Sequence, residues 1–444
     1  MTTTIQRLDL GEYATRVVEA ATPSAADERL AERLSRHGDD PARLDVRWLT
    51  SGHVEVTASS WVGVVRFSQL EVHVVPKLVD GTLRVLRMLE YALGVRMLRR
   101  LPADRPLAAH GHDLLDLVCL LLTEEAQTLV RDGLLRDYRA ADNALGVLRG
   151  RLRYRDQALR RYGQPDRLEC HFDEYDGDVP DNQLIAAALE VARRRAKDAR
   201  VRFSALRLAS LYLDACQPTT SDADWYERSI HYTRRNARYR PAHELAKLIL
   251  RNVAFDDSFD TSAGNVTAFM INMNTVFERF VLRLVGDALA GSATLVALPH
   301  QRLRAVIRYD DTGQTYTAID PDLVVEHTPT GVRVPVDVKY KLYDSKKLAI
   351  GDIYQTFLYA FALGNGEVHR AGIVFPATTP ITGPALHIQQ VAGPIAAKIV
   401  AVGLDVPQAL DRLQGPERSE LLASVRTAVE QLTGLSATAS ASTA

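Results

Sequence analysis

Two carboxylates and one amine stand in the segment 317–343 at a spacing that could hold a metal ion. Asp322 precedes the apolar run 323–325, and fourteen residues separate it from Asp337. Lys339 lies two positions beyond Asp337, so both side chains share one face if the chain is extended. Two carboxylates about 4 Å apart repel by roughly 4 kcal/mol at an effective dielectric near 20. A cation would relieve this repulsion, and Mg²⁺ held by one or two carboxylates with several waters is the natural candidate.

The elements that must position these side chains are predicted to be two strands joined by a turn. The sequence TPTG at 328–331 has turn chemistry, because proline presets φ and glycine tolerates a reversed backbone. Valines then alternate with polar residues, which is the period of a strand. With the turn centred on this sequence, Asp322 lies opposite Asp337, about 4.5–5.5 Å away. A one-residue bulge at Gly331 would instead turn Asp322 to the other face.

Lysine usage supports a special role for this segment. The chain has 54 lysine and arginine residues, and only eight are lysine. Half of these eight fall in one short stretch, as Lys339, Lys341, Lys346 and Lys347. Where arginine is the default cation, lysine indicates that a compact ammonium is needed rather than a planar fork. The alternative is a surface hairpin with an ordinary Asp–Lys pair, which the full pattern makes less favoured.

This pattern resembles the PD-(D/E)XK nuclease core, in which Asp322 and Asp337 would match the metal-binding acids and Lys339 the lysine. Neighbouring motifs narrow the resemblance to the McrC family, the nuclease subunits of McrBC modification-dependent restriction systems. These motifs are Val75-Pro76-Lys77-Leu78, Leu148-Arg149-Gly150-Arg151-Leu152, Asn272-Met273-Asn274, Phe277-Glu278, Pro321-Asp322 and Asp337-Val338-Lys339-Tyr340-Lys341. The resemblance spans most of the chain, from about Trp61 to about Pro376.

The resemblance implies a Mg²⁺-dependent endonuclease, with Mn²⁺ as a possible substitute, that cleaves double-stranded DNA carrying methylcytosine-type modifications. It implies Asp322, Asp337 and Glu278 as metal ligands, joined by the carbonyl of Val338, and Lys339 as a catalytic residue. It also implies a separate partner, a GTP-hydrolysing AAA+ hexamer of the McrB type, whose GTPase this chain stimulates. The chain itself has no Gly-xxxx-Gly-Lys-Ser/Thr motif, so we do not expect it to hydrolyse nucleotides.

A predicted helix over 267–290 carries Glu278. Apolar residues recur there at three- and four-residue spacing, and Glu278 lies about 140° from the centre of that stripe. The resemblance makes Glu278 an acid near the metal, and the alternative is an exposed glutamate. His300, in a predicted strand over 295–307, is a further candidate ligand, although a lone histidine is usually structural.

A second predicted helix, over 352–363, stops at Gly364. Gln355 and Tyr359 are four residues apart and therefore share one face of it. A Gln-xxx-Tyr helix after the Asp-x-Lys strand recurs in related nucleases, so both residues are candidate catalytic residues that steady the site or hold a phosphate. The alternative is an ordinary polar helix face.

Arginine occupies every second position in one short stretch, as Arg149, Arg151, Arg153 and Arg155. If this stretch is a strand, all four lie on one face and form a stripe that binds DNA phosphates or the partner. Lys341 is a further candidate for DNA or partner binding. The alternative for the stripe is a solvated edge strand whose charges discourage aggregation.

The chain is predicted to be a multidomain α+β protein. We expect a β-rich and helical partner-binding domain at 1–140 and a basic, helical middle region at 141–260. A PD-(D/E)XK α/β nuclease domain with a mixed central sheet would follow at 261–435, with strands near 370–376 and 386–391 and helix from there to Leu435. The low-complexity tail 436–444 is expected to be disordered.

Bulk properties exclude some classes of protein. The net charge of −1 means that attraction to DNA must come from local patches. Cys119, Cys170 and Cys216 form no zinc pattern, which indicates reduced cysteines in a cytoplasmic protein. The N-terminus does not resemble a signal peptide, and the apolar run 114–122 is too short to span a membrane.

Two other functions remain open from the sequence. One is a nuclease of the same fold class that works without a GTPase, as a repair or processing enzyme. The other is a non-catalytic adaptor that docks on an AAA+ ring and keeps the acidic residues without using them.

Overall fold

The computed structural model of the chain describes residues 5–19, 22–35, 42–76, 81–98, 114–164, 166–255, 267–299, 305–341, 343, 347–378, 381–389, 391 and 393–434. These residues form an α+β structure, as predicted, with several sheets. The helices, in chain order, are α1 (Ala25–Ser35), α2 (Thr82–Leu93), α3 (Leu114–Arg131), α4 (Tyr154–Arg160), α5 (Pro180–Arg195), α6 (Ala199–Leu213), α7 (Ala223–Ser229), α8 (Arg240–Asn252), α9 (Met273–Leu289), α10 (Ile350–Leu363), α11 (Val406–Gln414) and α12 (Arg418–Thr433).

The strands are short and come from every part of the chain. In chain order they are β1 (Gln6–Gly11), β2 (Thr15–Glu19), β3 (Leu44–Trp48), β4 (His53–Ala58), β5 (Trp61–Arg66), β6 (Leu70–Val75), β7 (Asp137–Leu145), β8 (Arg151–Leu152), β9 (Leu168–Asp176), β10 (Val253–Phe255), β11 (Thr267–Asn272), β12 (Leu295–Pro299), β13 (Ala305–Arg308), β14 (Thr315–Ile319), β15 (Leu323–His327), β16 (Val332–Val338), β17 (His369–Ala377), β18 (Ile381–Gln389) and β19 (Ile395–Asp405).

A five-stranded sheet, ordered β1–β6–β5–β11–β10, places the start of the chain beside residues from its middle. Strands β1 and β6 are parallel, and the other neighbours are antiparallel. Gly63 permits the close pairing of β5 with β11, because its φ is +145° and a Cβ there would collide with the Phe269 carbonyl oxygen. Apolar residues of this sheet share a core with α1 and with the small sheet β2–β4–β3.

The helices of the middle region pack against one another through apolar faces. Helices α3, α5, α6 and α8 contribute buried side chains to the largest core, which also takes in α2 and α9. A small sheet, ordered β7–β9–β8, precedes α5 in the chain, and most of its side chains are at least partly exposed. The middle region is therefore mainly helical, with a short sheet at its beginning.

A six-stranded mixed sheet, ordered β12–β15–β16–β17–β19–β18, holds the residues singled out by the sequence. Strand β16 is antiparallel to β15 and parallel to β17, and β17 is parallel to β19. Side chains of one face, including Val336 and Val338, join the core formed with α9 and α12. Helix α10 packs on β16 and β17.

The predicted pairing of β15 with β16 is confirmed. Leu323 pairs with Val336 and His327 pairs with Val332, so the pairing is centred between Pro329 and Thr330. The backbone amides of Thr330 and Gly331 both donate to the His327 carbonyl, and Gly331 has a φ of +67°. No bulge interrupts this pairing, and the register, continued by one residue, sets Asp322 opposite Asp337.

Two predicted helices are corrected by the structure. Residues 267–272, predicted as helix, form the buried strand β11, and α9 begins only at Met273 because Asn272 caps it by accepting from the Asn274 amide at 3.0 Å. Residues 395–405, also predicted as helix, form β19, whose buried and partly buried residues alternate as on a strand. The predicted helix over 352–363 is confirmed as α10.

Two sheets cross the predicted domain limits. Strand β7 runs across the limit at residue 140, and β11, beyond the limit at 261, pairs with β5 of the first domain. The division into domains therefore stays a prediction, as does the disorder of the tail 436–444, which lies outside the described residues together with His300. Among the helices that the structure describes, none is long and apolar enough to cross a membrane.

Candidate active site

The candidate site lies where β15 begins and β16 ends. Asp322 immediately precedes β15, Asp337 lies near the end of β16, and Lys339 follows that strand. Asp337 and Lys339 point away from the α9 core, because Val336, Val338 and Tyr340 fill that side. Asp337 is only 2% exposed. The sheet thus places a buried carboxylate where isolated charges are costly.

The carboxyl groups of Asp322 and Asp337 meet at this point. One oxygen of Asp322, Oδ2, accepts a hydrogen bond of 2.6 Å from the Val338 amide. The two carboxyl groups are close enough to hydrogen-bond each other. The pKa of each group is raised to about 6, mainly by burial, and repulsion from the Asp322 carboxylate contributes to the rise at Asp337. The predicted convergence of these two acids is therefore present.

Lys339 is fixed by two oxygen atoms on different elements. Its Nζ lies 3.0 Å from Asp337 Oδ2 and donates to Gln355 Oε1 on α10 at 2.9 Å. The amide nitrogen of Gln355 in turn donates to the Tyr359 hydroxyl at 2.7 Å. Helix α10 thus presents Gln355 and Tyr359 on the face turned toward the acids. The structure brings together these two residues and Lys339, as the sequence predicted, whereas their catalytic roles stay a prediction.

Glu278 is half-buried on α9, on the other side of the sheet from α10. It lies near enough to Asp322 that repulsion between the two carboxylates helps to raise the Asp322 pKa, after the larger effect of burial. Within the described parts of the chain, however, no three histidine, cysteine, aspartate or glutamate side chains form a ready metal-binding group. Glu278 as a metal ligand therefore stays a prediction.

The residues present fit a divalent cation. Asp337 Oδ2 is buried and lies 3.0 Å from the Lys339 ammonium, and among the described residues no group makes a hydrogen bond of good geometry to it. Asp322 and Asp337 supply hard oxygen atoms of the kind that Mg²⁺ prefers. A pair of carboxylates, one buried and one partly buried, with a single ammonium carries a net negative charge, which a bound cation would neutralise.

Asp352 was not singled out by the sequence, although the structure gives it a clear role. The Lys341 ammonium donates to both of its carboxylate oxygens, at 3.0 and 2.9 Å, and the Tyr343 hydroxyl also donates to it. Its carboxylate also helps to raise the pKa of Asp337. Asp352 precedes Gln355 by three residues on α10, and this helical spacing was the available signal. Lys341 is thus engaged in an ion pair, and its binding of DNA or a partner stays a prediction.

The condition for the arginine stripe, a single strand over 149–155, is not met. Only residues 151–152 form a strand, β8, and α4 begins at Tyr154. The chain bends at Gly150, whose φ is +67° and whose missing Cβ avoids the His171 carbonyl oxygen. The four arginines therefore cannot share one strand face.

The arginines of this stretch have different surroundings. The Arg149 guanidinium stacks on the Phe172 ring, 4.2 Å from the ring centroid. Arg153 makes ion pairs with two carboxylates, at 2.9 and 2.6 Å. Arg149, Arg151 and Arg155 are all exposed. Binding of DNA or a partner by this stretch stays a prediction, for which these three residues are the accessible candidates.

Comparisons with known proteins come from families and from solved structures. Residues 56–376 match the family described as McrBC 5-methylcytosine restriction system component. No curated protein gives a match. A chain of the refined half-complex from a tetradecameric assembly of Thermococcus gammatolerans McrB AAA+ hexamers with bound McrC is 19% identical, with a TM-score of 0.59, covering 96% of this chain and 100% of that chain.

A chain of the cryo-EM structure of the Thermococcus gammatolerans McrBC complex is 21% identical, with a TM-score of 0.46, covering 64% of this chain and 88% of that chain. At such identity the first of these structures shows likeness of fold alone. The family match covers well over half of the sequence and includes Asp322, Asp337 and Lys339. The chain therefore belongs to the McrBC 5-methylcytosine restriction system component family.

Proposed function

We propose that this chain is the nuclease subunit of an McrBC-type restriction system, with a PD-(D/E)XK core that hydrolyses phosphodiester bonds in modified double-stranded DNA. The observation that carries the proposal is the meeting of Asp322, Asp337 and Lys339 at one point of the mixed sheet. One buried and one partly buried acid beside a single ammonium are costly for a purely structural hairpin. They suit a site that holds a divalent cation and an anionic phosphate.

Asp322 and Asp337 would hold the cation, Mg²⁺ or in its place Mn²⁺. The Val338 amide points to Asp322, and the carbonyl of a strand residue points to the same side as its amide, which supports Val338 as a further ligand. A bound Mg²⁺ supplies a more acidic water and neutralises charge on the reacting phosphate. The pKa values of Asp322 and Asp337 are raised, so these carboxyl groups bind a proton readily when the cation is absent. A proton would therefore compete with the cation for their oxygen atoms.

Lys339 would neutralise the charge that develops on the phosphate oxygens. Its ammonium is held by Asp337 and by Gln355, and Tyr359 fixes the Gln355 amide in turn. These contacts come from two separate elements, β16 and α10, so the amine is oriented before DNA arrives. Such prior orientation is what electrostatic stabilisation of a transition state requires.

The proposal includes a partner, an AAA+ hexamer that hydrolyses GTP and that this chain stimulates. The structural neighbour with a similar fold is described with McrB AAA+ hexamers and bound McrC. Arg151 and Arg155 are exposed cations that suit an acidic or nucleotide-loaded surface. Reading of the modified base would belong to the partner, and the assembly would act on foreign DNA in the cytoplasm.

The test is cleavage of a methylcytosine-containing duplex in Mg²⁺ and GTP, with an McrB-type partner present. Asp337→Asn keeps the shape of the side chain and removes its charge, so we expect cleavage to fall by at least about 10²-fold. Asp311→Asn, at an exposed aspartate of the β13–β14 hairpin, should cleave as the wild type does. Equal cleavage by Asp337→Asn and wild type would contradict the nuclease assignment.

The same assay separates the two other functions. Wild-type cleavage that needs neither the partner nor GTP would indicate a stand-alone processing nuclease. Stimulated GTP hydrolysis with no cleavage of any duplex would indicate a non-catalytic adaptor.

A further inference from the structure

Tyr340 follows Lys339 directly and is buried on the opposite face of the sheet. It is 2% exposed, and its ring lies 5.7 Å from that of Phe277 on α9. Phe277 immediately precedes Glu278. One aromatic contact therefore joins the backbone that carries the candidate catalytic lysine to the helix that carries the third acidic residue.

The hydroxyl of Tyr340 reaches the other end of the chain. It donates a hydrogen bond of 3.2 Å to Oε2 of Glu12, which lies in the loop after β1 and is 1% exposed. A carboxylate this deeply buried is costly unless polar groups contact it. Removing the hydrogen bond between Tyr340 and Glu12 would therefore be costly in free energy, and the bond fixes both side chains.

The turn between β4 and β5, which lies beside the Glu12 loop, contacts the start of α9. The Met273 amide donates to the Ser60 carbonyl at 2.9 Å, and the Asn274 side chain donates to the Ser60 hydroxyl at 3.0 Å. Tyr13, next to Glu12, is the non-glycine residue with a positive φ, +57°, in the part of the chain that the structure describes. Its backbone amide donates to the carbonyl of Ser59, the residue before Ser60, at 3.3 Å. A strained backbone of this kind persists only where its surroundings fix it, and such positions cluster at functional sites.

We propose that Glu12 and Tyr340 are positioning residues for the candidate nuclease site. Through Tyr340 they fix the backbone at Lys339, and the neighbouring Ser60 contacts fix the helix that bears Glu278. The loop after β1 and the β4–β5 turn would thereby orient groups on two sides of the metal-binding acids. This inference rests on the proposed nuclease function. It adds to that function a positioning contact made by Glu12, a residue far from the site in sequence.

The test compares Tyr340→Phe with Tyr91→Phe. Tyr91 makes a similar bond, 2.9 Å from its hydroxyl to the Asp287 carboxylate, but at the far end of α9. Tyr340→Phe keeps the ring and loses the bond, so we expect kcat for cleavage of the methylcytosine duplex to fall about tenfold with KM unchanged, since small misplacements at a site cost up to about 10²-fold. Tyr91→Phe should keep the wild-type kcat, whatever stability it loses.

Glu12 provides the matching conservative pair. Glu12→Gln keeps an oxygen that accepts the Tyr340 hydroxyl and should retain most of kcat, whereas Glu12→Ala should match Tyr340→Phe. Hydrogen exchange gives a second readout, and backbone amides at 336–341 should exchange faster in Tyr340→Phe but not in Tyr91→Phe. Wild-type kcat and exchange in Tyr340→Phe, or equal losses in the Tyr91 control, would overturn the inference.

These outcomes separate this inference from the nuclease proposal. If wild-type protein cleaves and Asp337→Asn does not, the nuclease proposal stands whatever Tyr340→Phe shows. If the wild type and Asp337→Asn behave alike, the nuclease proposal fails and this inference fails with it.

Discussion

At the scale of single residues, the proposed function depends on how the buried Asp337 carboxyl, the partly buried Asp322 carboxyl and the Lys339 ammonium share a small volume. Asp322 and Asp337 could be predicted from their spacing around a turn, and Lys339 from the strand period. The degree of their burial and the contacts that hold the Lys339 ammonium could not be predicted, because both depend on how α10 packs over the strands. Asp352 was missed because an aspartate near the start of a helix usually has a capping or dipole role.

The pH dependence of metal binding follows from the raised pKa of Asp322 and Asp337. In the metal-free protein the folded state holds their protons more tightly than the unfolded state, because the pKa rises from 3.8 to about 6 on folding. Their contribution to stability is therefore greatest below the unfolded pKa and is lost as pH rises through about 6. A bound cation would offset that loss.

We therefore expect the Mg²⁺-induced rise in Tm to grow between about pH 5 and about pH 7. Thermal denaturation with and without Mg²⁺ measures it, and Asp337→Asn should abolish the growth. A rise in Tm of the same size at both pH values in the wild type would argue against the shared site.

Gln355 should act by holding Lys339 in place. Gln355→Ala removes the oxygen 2.9 Å from the Lys339 ammonium, so we expect kcat for DNA cleavage to fall about tenfold while DNA affinity is unchanged. Gln408→Ala, at an exposed glutamine of α11, is the control and should have no effect. A loss of DNA affinity with unchanged kcat would indicate that Gln355 binds DNA rather than positions the lysine.

At the scale of elements, the hairpin of β15 and β16 was predictable because a four-residue turn fixes its register locally. Strand β11 was not, because its apolar residues run into those of α9 without a break and the cap at Asn272 was overlooked. The arginine stretch failed for a similar reason, since Gly150 bends a segment whose alternation resembles a strand. In these two segments a single residue, Asn272 or Gly150, determined where one kind of structure ends and the next begins.

The pairing of β11 with β5 can be tested at Gly63. Gly63→Ala would drive a methyl group into the Phe269 carbonyl oxygen, so we expect a loss of stability of several kcal/mol, measured as a fall in Tm or in soluble yield. Gly52→Ala also has a positive φ, but nothing lies near its missing Cβ, and it should lose only about 1 kcal/mol. Similar behaviour of the two variants would mean that the strands do not pair so closely.

At the scale of the whole molecule, the family resemblance identified from short motifs is confirmed by the match over residues 56–376. The long-range bond between Glu12 and Tyr340 could not have been predicted, because no local pattern links residues so far apart in sequence. In the proposed function the partner hydrolyses GTP and this chain cleaves DNA, and this separation leads to a prediction. Stimulation of the partner should not depend on the acids that cut DNA.

We expect Asp337→Asn to stimulate GTP hydrolysis by an McrB-type partner to the wild-type extent while cleavage is lost. The reason is that Asp337 is buried beneath α10 and cannot touch another protein. GTP turnover measured at equal concentrations of the two proteins checks this. A parallel loss of both activities would show that the two functions are not separable at this residue.

The central claim is that Asp322 and Asp337 together bind a divalent cation. Titration of metal-free protein with Mn²⁺, followed by electron paramagnetic resonance, counts bound ions without any need for activity or a partner. The account predicts saturable binding of Mn²⁺ in the wild type, competed by Mg²⁺, that is lost in Asp337→Asn. The same number of bound ions and the same affinity in both proteins would contradict it.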